Sequence, residues 1–452
     1  MNTRQTLALL RNYESRNVLF TEPDGSWPIV WERAKGVHVW DAEGKKYLDL
    51  TAAFGVATAG HANSAVVRAG QKQMATLLHA MGDVHPHALK AQLARELSRL
   101  TFERWAQSNR QSAIGNRQSG KVIFNNSGFE AVEAALKTAI LATGKRGIIA
   151  FEGGYHGLGY GALNATHREH FRGPFRPQLR EFGHFVPFPV GDEVTSLKSK
   201  NSKSETPHVV SYKEIEKRLR AILRREKIGA ILVEPIQARG GINIPPPDFL
   251  PLLRKLCDQH GTLLILDEIY TGFGRTGKWF ACEHSGVIPD LICLGKALTG
   301  GFPLSACVGR ADVMDTAWPP SQGEAIHTST FLGHPVGCAM AMTQIAEIRR
   351  MKLCERSAKL GVRLLELLST INYPPSTARG IGLMAGLELL NANGSPATIE
   401  SLRVIKAMLH RGFILLPEGE HGNIISFTPP LTITEAQLAR MVSELQKVLN
   451  HG

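Results

Sequence analysis

Two short apolar runs each hand a charged residue to the chain at their carboxyl end. Leu263-Leu264-Ile265-Leu266 leads into Asp267-Glu268, and Leu291-Ile292-Cys293-Leu294 leads through Gly295 into Lys296. Runs this short suit strands buried on both faces better than helices. In an open α/β sheet the carboxyl edge of such strands is where ligands sit. A lysine able to form a Schiff base and an aspartate able to keep a pyridine nitrogen protonated are what a pyridoxal phosphate site needs. Taken singly, each has a plainer reading: the lysine as a solvated surface residue, the aspartate as a helix cap. The case therefore rests on the surrounding residues.

Asn125-Asn126-Ser127-Gly128-Phe129-Glu130 follows an apolar run and opens a helix whose apolar face is Val132, Leu136, Ala139 and Ile140. Ser127 and Glu130 have capping-box spacing, and Gly128 lets backbone amides come close to a ligand. Such a strand-to-helix turn can cradle an anion, or it can simply be a capped helix. Gly153-Gly154-Tyr155-His156-Gly157 could lay an aromatic ring on a flat ligand, or be a tight turn. Glu234-Pro235-Ile236-Gln237 ends another run, so Glu234 or Gln237 could face the same crevice. His327-Thr328-Ser329-Thr330-Phe331 offers hydroxyls to a phosphate, or is a polar loop. Gly272-Phe273-Gly274-Arg275-Thr276-Gly277 has dinucleotide-fingerprint spacing and, with Lys278, nearly that of a P-loop. Both motifs need a helix there, the P-loop also needs Ser or Thr where Trp279 stands, and the residues after Gly277 lack helical period.

The elements that would hold these residues form a regular series. Between Lys121 and Gly309, apolar runs at Val122–Phe124, Ile148–Phe151, Ala230–Val233, Leu263–Leu266 and Leu291–Leu294 alternate with helical stretches. That alternation predicts an α/β fold, a mostly parallel sheet with helices on both faces. Residues 28 to 50 read as a β-hairpin, with strands at Pro28–Trp31 and Val37–Trp40 and a turn leading into Lys46–Leu50. Ala62–Leu78 and Ala88–Leu100 read as helices, and beyond Gly337 helical patterns dominate before strands at Gly382–Leu389 and Asn423–Phe427. The expected organisation is a large ligand-binding domain over 76–335 and a smaller α+β domain over 336–452, joined by residues 1–75. The near-repeats within Gln107–Gly120 and the Ser/Lys/Asn-rich Gly191–Thr206 read as surface insertions.

The chain has 452 residues with a globular balance of 43% hydrophobic and 20% charged residues, and a net charge of +12. Much of the excess lies in Lys198–Lys227, where no aromatic residues interleave with the Arg/Lys run and no nucleic-acid motif accompanies it. It is read as a solvated helix face rather than a nucleic-acid surface. The six cysteines show no paired short spacing, which argues against a disulfide framework or a metal site and fits a reducing cytoplasm. No apolar run approaches membrane-spanning length.

Taken together, the motifs resemble the class III (ω-type) aminotransferases of pyridoxal phosphate fold type I. The resemblance is carried by Ser127–Lys137, Tyr155-His156-Gly157, Val233–Gln237, Leu266–Glu268 with Thr271–Gly277, Pro289-Asp290, Gly295–Ala297, Gly300–Leu304, Ser329–Phe331 and Arg379–Leu383. It runs from about Pro28 to the carboxyl terminus. It implies that Lys296 carries the cofactor and later moves the substrate proton, and that Asp267 braces the ring nitrogen. It implies that Ser127, Gly128 and Phe129 hold the phosphate, that Tyr155 stacks on the ring, and that Gln237, with Glu234 and His156, lies at the cofactor. Thr330 would reach the cofactor phosphate of the second subunit in a homodimer, and Arg379 would bind a substrate carboxylate.

Two positions depart from the pattern. Relatives acting on 4-aminobutyrate or acetylornithine usually carry Arg after Tyr-His-Gly, where this chain has Leu158, and often Glu five residues after the Glu of Glu-Pro, where it has Arg239. The expectation is an apolar wall at Leu158 and a cationic floor of Arg239 and Arg379, with Arg239 facing solvent as the competing reading. Gly422–Leu431 still looks most like the 4-aminobutyrate branch. The implied activity is amino transfer from an amine or ω-amino acid to a keto acid or aldehyde through pyridoxamine phosphate. The same scaffold also serves aminomutases, epimerases and phospholyases, and a regulatory pyridoxal-phosphate-binding protein is a further alternative.

Overall fold

The computed structural model describes residues 1–22, 25–108, 119–190, 212–373 and 375–450. Its centre is a sheet of seven strands: β1 (Gly120–Asn125), β2 (Gly147–Phe151), β3 (Gly183–Val186), β4 (Ile228–Val233), β5 (Leu263–Asp267), β6 (Leu291–Leu294) and β7 (Ser305–Arg310). The spatial order is β1-β7-β6-β5-β4-β2-β3. Neighbours from β6 to β3 run parallel, while β7 is antiparallel to both β6 and β1. The mostly parallel α/β sheet is therefore present. β3 and β7 lie outside the strands that the apolar runs predict.

Alternation along each strand explains why both faces are apolar. Ile148, Ala150, Ala230 and Leu232 face the alanine-rich helix Gly128–Thr143, whose Ala131, Ala134 and Ala135 are fully buried. Ile149, Phe151, Ile231 and Val233 face the other way, in one core with Phe249, Leu253 and Leu256 of the helix Phe249–His260. With helices on both faces, the free part of the sheet is its edge. The chain leaves the carboxyl ends of β1, β2, β4, β5 and β6 at one such edge, and every motif placed after a strand is delivered there.

The segment expected as a hairpin is a three-stranded antiparallel meander, Trp31–Lys35, His38–Asp41 and Lys46–Asp49. Its first strand begins at Trp31 rather than Pro28, whose ring removes the N–H a ladder needs. Phe413–Ile414 adds a parallel strand to this sheet, so chain from the two ends meets in one element. A second sheet combines Ser376–Ile381, Met384–Leu389, Ile424–Phe427 and Leu416–Glu418. The helix Ser64–Thr76 packs on Pro335–Arg350 at Gly70, where an added Cβ would sit 2.9 Å from Met340 Sδ.

Of the expected insertions, 109–118 and 191–206 lie outside the described residues; Gln107 belongs to the helix Arg104–Ser108 and Gly120 opens β1. The basic helix Tyr212–Arg225 buries Ile215, Leu219 and Leu223 and turns its charges outward, as read from its pattern. No α-helix follows Gly277, which disposes of both phosphate-loop readings. Among the described residues no helix is long and apolar enough to cross a membrane.

Candidate active site

Asp267 ends β5 and Lys296 stands two residues beyond β6, the next strand of the sheet, whose Cys293 is the register partner of Asp267. Two parallel neighbours therefore bring both residues to one edge. The Asp267 carboxylate is buried, and each oxygen has a fixed partner. Oδ1 accepts from the Ile269 amide at 3.1 Å, and Oδ2 lies 2.8 Å from His156 Nδ1. His156 is itself buried and donates its backbone N–H to Thr166 Oγ1. Burial alone would lower the His156 pKa, but the bond to Asp267, with the charges of Asp267 and Glu234, carries it above the usual value. Thus His156 acts through Asp267, holding and orienting that carboxylate.

Lys296 sits at φ 42°, in the left-handed region that costs a non-glycine residue roughly 1 kcal/mol or more. Such strain persists where the surroundings over-determine the conformation. Its amine lies 3.9 Å from the centroid of the Tyr270 ring. Burial pushes the Lys296 pKa down to about 8, against the pull of Asp267, Glu234 and Glu418 and with the help of Arg239. A neutral amine is thus available well below the ordinary lysine range near 10.5. The rate at which cofactor-free protein takes up pyridoxal phosphate should therefore rise through a midpoint near pH 8 and level off above it. Stopped-flow absorbance across that range measures this, and a midpoint near 10.5 would mean that Lys296 is not desolvated.

The helix Gly128–Thr143 begins at Ser127. The Glu130 carboxylate accepts from the Asn126 and Ser127 amides at 2.9 and 2.7 Å and from the Ser127 hydroxyl at 3.1 Å. The Gly128 and Phe129 amides have no acceptor within the helix, as at any α-helix start, and they sit at its positive dipole end. Close approach is built in here: a Cβ on Gly157 would lie 2.2 Å from Phe129 Cβ. The turn is a capped helix start whose free amides have the geometry to receive an anion.

Tyr155 packs edge-on against Phe171, and the Arg239 guanidinium lies 4.9 Å from its ring centroid. Glu234 accepts from the Tyr155 and Ala238 amides at 3.0 and 3.2 Å, and burial raises its pKa to about 7. It therefore holds the Tyr155 turn to the loop after β4. Gln237 spends its amide on Glu152 O at 2.7 Å and on the Asn243 side chain at 3.0 Å, bracing the same loop.

Arg379 does not join a free cationic floor. Its guanidinium donates to Gly241 O and Ile242 O and pairs with Glu388 at 2.6 Å, and the residue is only 7% exposed. Register sets this pairing, because Glu388 lies on the adjacent strand within reach of Arg379. Arg239 does not face open solvent, since it is half-buried on Tyr155. Leu158 is exposed, and Thr330 is exposed with no hydrogen bond among the described residues. The site also gathers residues the sequence reading did not flag: Tyr270, Glu418 and Arg168. Tyr270 could have been found, standing three residues after Asp267. Nothing local marks Glu418.

A lysine poised to lose its proton, a buried oriented carboxylate and an anion-binding helix start are the donor set that an aldehyde-bearing pyridine phosphate requires, and they fit it. The family model described as Aminotransferase class-III matches residues 20–449. The chain is 34% identical to the acetylornithine aminotransferase of Methanosarcina mazei, over 94% of this chain and 92% of that one. It is 36% identical to the putrescine aminotransferase of Pectobacterium atrosepticum, over 94% of this chain and 83% of that one. An amine transaminase from an uncultivated Pseudomonas species, solved in its PLP-bound form, superposes with a TM-score of 0.82 at 28% identity, covering 97% of this chain and 98% of that one.

Proposed function

The chain belongs to the class-III aminotransferases, and from that premise we propose that the cluster at Asp267 and Lys296 is its active site, with the roles below. The protein is a pyridoxal-phosphate-dependent transaminase of fold type I that moves an amino group from an amine donor to a keto acid. Bound pyridoxal phosphate supplies the electron sink that makes the proton on the amine-bearing carbon removable. Lys296 would hold the cofactor through Nζ, and the same nitrogen, when free, would take up that proton and return it. Asp267, oriented by His156 and the Ile269 amide, keeps the ring nitrogen protonated through a charge-assisted bond. Ser127 and the Gly128 and Phe129 amides would take the phosphate, and Tyr155 would flank the ring. Glu234 and Gln237 position the loop beside it. The observation that carries this reading is the low-pKa amine of Lys296 at the same buried sheet edge as the His156–Asp267 pair.

Incubation of the holoenzyme with an amine donor alone tests it. One equivalent of carbonyl product and a matching loss of the cofactor's aldehyde absorbance are expected, because no acceptor regenerates it. An aminomutase, epimerase or phospholyase would turn over without that stoichiometric conversion, and such a result would refute the transaminase assignment of this site.

The working unit in this reading is a homodimer. Met74, Leu77, Leu78, Met81, Val84, Ile326 and Phe331 are exposed. The two segments touch at His79–Phe331 and Asp83–Thr328, making one apolar surface beside Thr330. Thr330 then reaches the partner's cofactor phosphate. Sedimentation equilibrium should give twice the 49.4 kDa chain mass, and a stable monomer with full activity would end this part of the proposal. Residues 76–335 form the large unit in this arrangement, with 1–75 and 336–452 sharing the smaller one. The pairing of Phe413–Ile414 with Leu48–Asp49 supports that division. We place the enzyme in the cytoplasm, where its unpaired cysteines stay reduced.

A further inference from the structure

We propose that His87 and His334 form an acid-sensitive latch that fixes the segment 328–334, and Thr330 with it, against residues 79–90. Each histidine stands one residue before a helix, His87 before Ala88–Ser98 and His334 before Pro335–Arg350, and each ring caps the helix it precedes. His87 Nδ1 accepts from the Lys90 amide and His334 Nδ1 from the Val336 amide, both at 3.3 Å. The other nitrogen of His87 ties the two segments together, since Nε2 lies 2.7 Å from Gly333 O. A carbonyl only accepts, so Nε2 carries the hydrogen and Nδ1 is bare. The arrangement therefore needs both rings neutral.

Thr330 sits between two ties to residues 79–90. On one side of it the Thr328 hydroxyl donates to the Asp83 carboxylate, and on the other His87 holds Gly333. Phe331 packs against His79 and His334, with ring centroids 5.3 and 6.0 Å away. Acid acts on this arrangement at its capping atoms. A second proton on either imidazole goes to Nδ1, where it meets a backbone N–H instead of accepting from it. It also puts positive charge at the positive end of a helix.

The surroundings do not offset that charge. Residues 64–90, 296–304 and 327–346, which pack around the two rings, contain a single carboxylate, Asp83, and Thr328 already occupies it. The other groups gathered there are His79, Lys90 and Cys338, whose thiol burial pushes up to about 12. His85, on the same segment, is exposed, and His327 turns away onto Trp318 and Lys137. Burial, with His79 and His87 nearby, holds the His334 pKa below the ordinary 6.5. The His334 cap is therefore complete above 6.5 and is lost as pH falls through the lower folded value. Once the latch opens, Thr330 is no longer held where the homodimer reading above needs it. That consequence for the cofactor rests on the homodimer reading, whereas the latch itself does not.

The test is amide hydrogen exchange on the holoenzyme at pH 7.5 and 5.5, corrected for the intrinsic pH dependence of exchange. Peptides covering 81–90 and 328–338 should lose protection by about tenfold or more at the lower pH, the scale of two lost caps, while β4 and β5 keep theirs. His334→Asn retains a capping acceptor that does not titrate, and His87→Gln retains a donor for Gly333 O. The double variant should show the same protection at both pH values. His79→Phe keeps a ring against Phe331 and removes one charge that opposes protonation of His334, so the midpoint should move to higher pH. Cofactor release, followed by absorbance after dilution, should quicken at pH 5.5 in the unmodified enzyme and not in the double variant. Equal protection at the two pH values in the unmodified enzyme, or an undiminished loss in the double variant, overturns the latch. If protection falls as expected while the protein sediments as a monomer at both pH values, the homodimer reading fails and the latch stands.

Discussion

Replacing Lys296 by alanine should lower turnover by about 10⁴-fold or more, because one nitrogen is both the covalent anchor and the proton carrier. Borohydride treatment followed by peptide mass analysis should find the cofactor on the peptide containing Lys296 in the unmodified enzyme and on no peptide of the variant. Lys296→Arg separates charge from proton transfer. It keeps a cation at the same place, but a guanidinium does not release its proton near neutral pH. It should be as inactive as the alanine variant. A Lys296→Arg enzyme retaining a tenth of the activity would remove Lys296 from the chemistry.

Asp267→Asn should slow the half-reaction with a donor on the order of 10³-fold, the scale seen when a preorganised electrostatic contact is lost from a dry site. Asparagine fills the same space but has one acceptor oxygen, which can serve either His156 or the Ile269 amide, so the loss reports the charge together with one broken contact. A second signature appears in stability. The folded protein holds the His156 proton more tightly than the unfolded chain does, since Asp267 raises that pKa against the effect of burial. That contribution is complete below the ordinary histidine value of 6.5 and fades as pH rises through the higher folded value. Asp267→Asn leaves burial opposed only by the smaller effect of the Glu234 charge, so the variant should lose most stability on the acid side and least at pH 8.5. Urea midpoints at pH 5.5 and 8.5 measure the difference. A uniform loss at both would mean that His156 is not charged through Asp267.

Period and punctuation were enough to read the sheet edge. Leu263–Asp267 and Leu291–Lys296 are apolar runs ending in charge, and strands buried on both faces have nowhere to place that charge except at their ends. The same local logic located the Ser127–Glu130 helix start, whose capping atoms lie within four residues of one another. It dismissed the glycine motif after Thr271 because no helical period follows it. These conclusions depend on neighbours in sequence, and neighbours in sequence remain neighbours in the fold.

Tertiary structure decided whatever depends on distant chain. β7 looks like any apolar run, and its antiparallel insertion between β1 and β6 follows from packing order rather than composition. Arg379 reads as a free cation until Gly241, 138 positions away, and Glu388 across the strand pair use up its donors. Arg239 and Glu418 are 179 positions apart, and a backbone bond from the Gly419 amide to Arg239 O holds their two chain segments side by side. An ion's partner is set by geometry through space. Residue types and spacing therefore identified the cofactor chemistry, while the fold determined which charges are already paired.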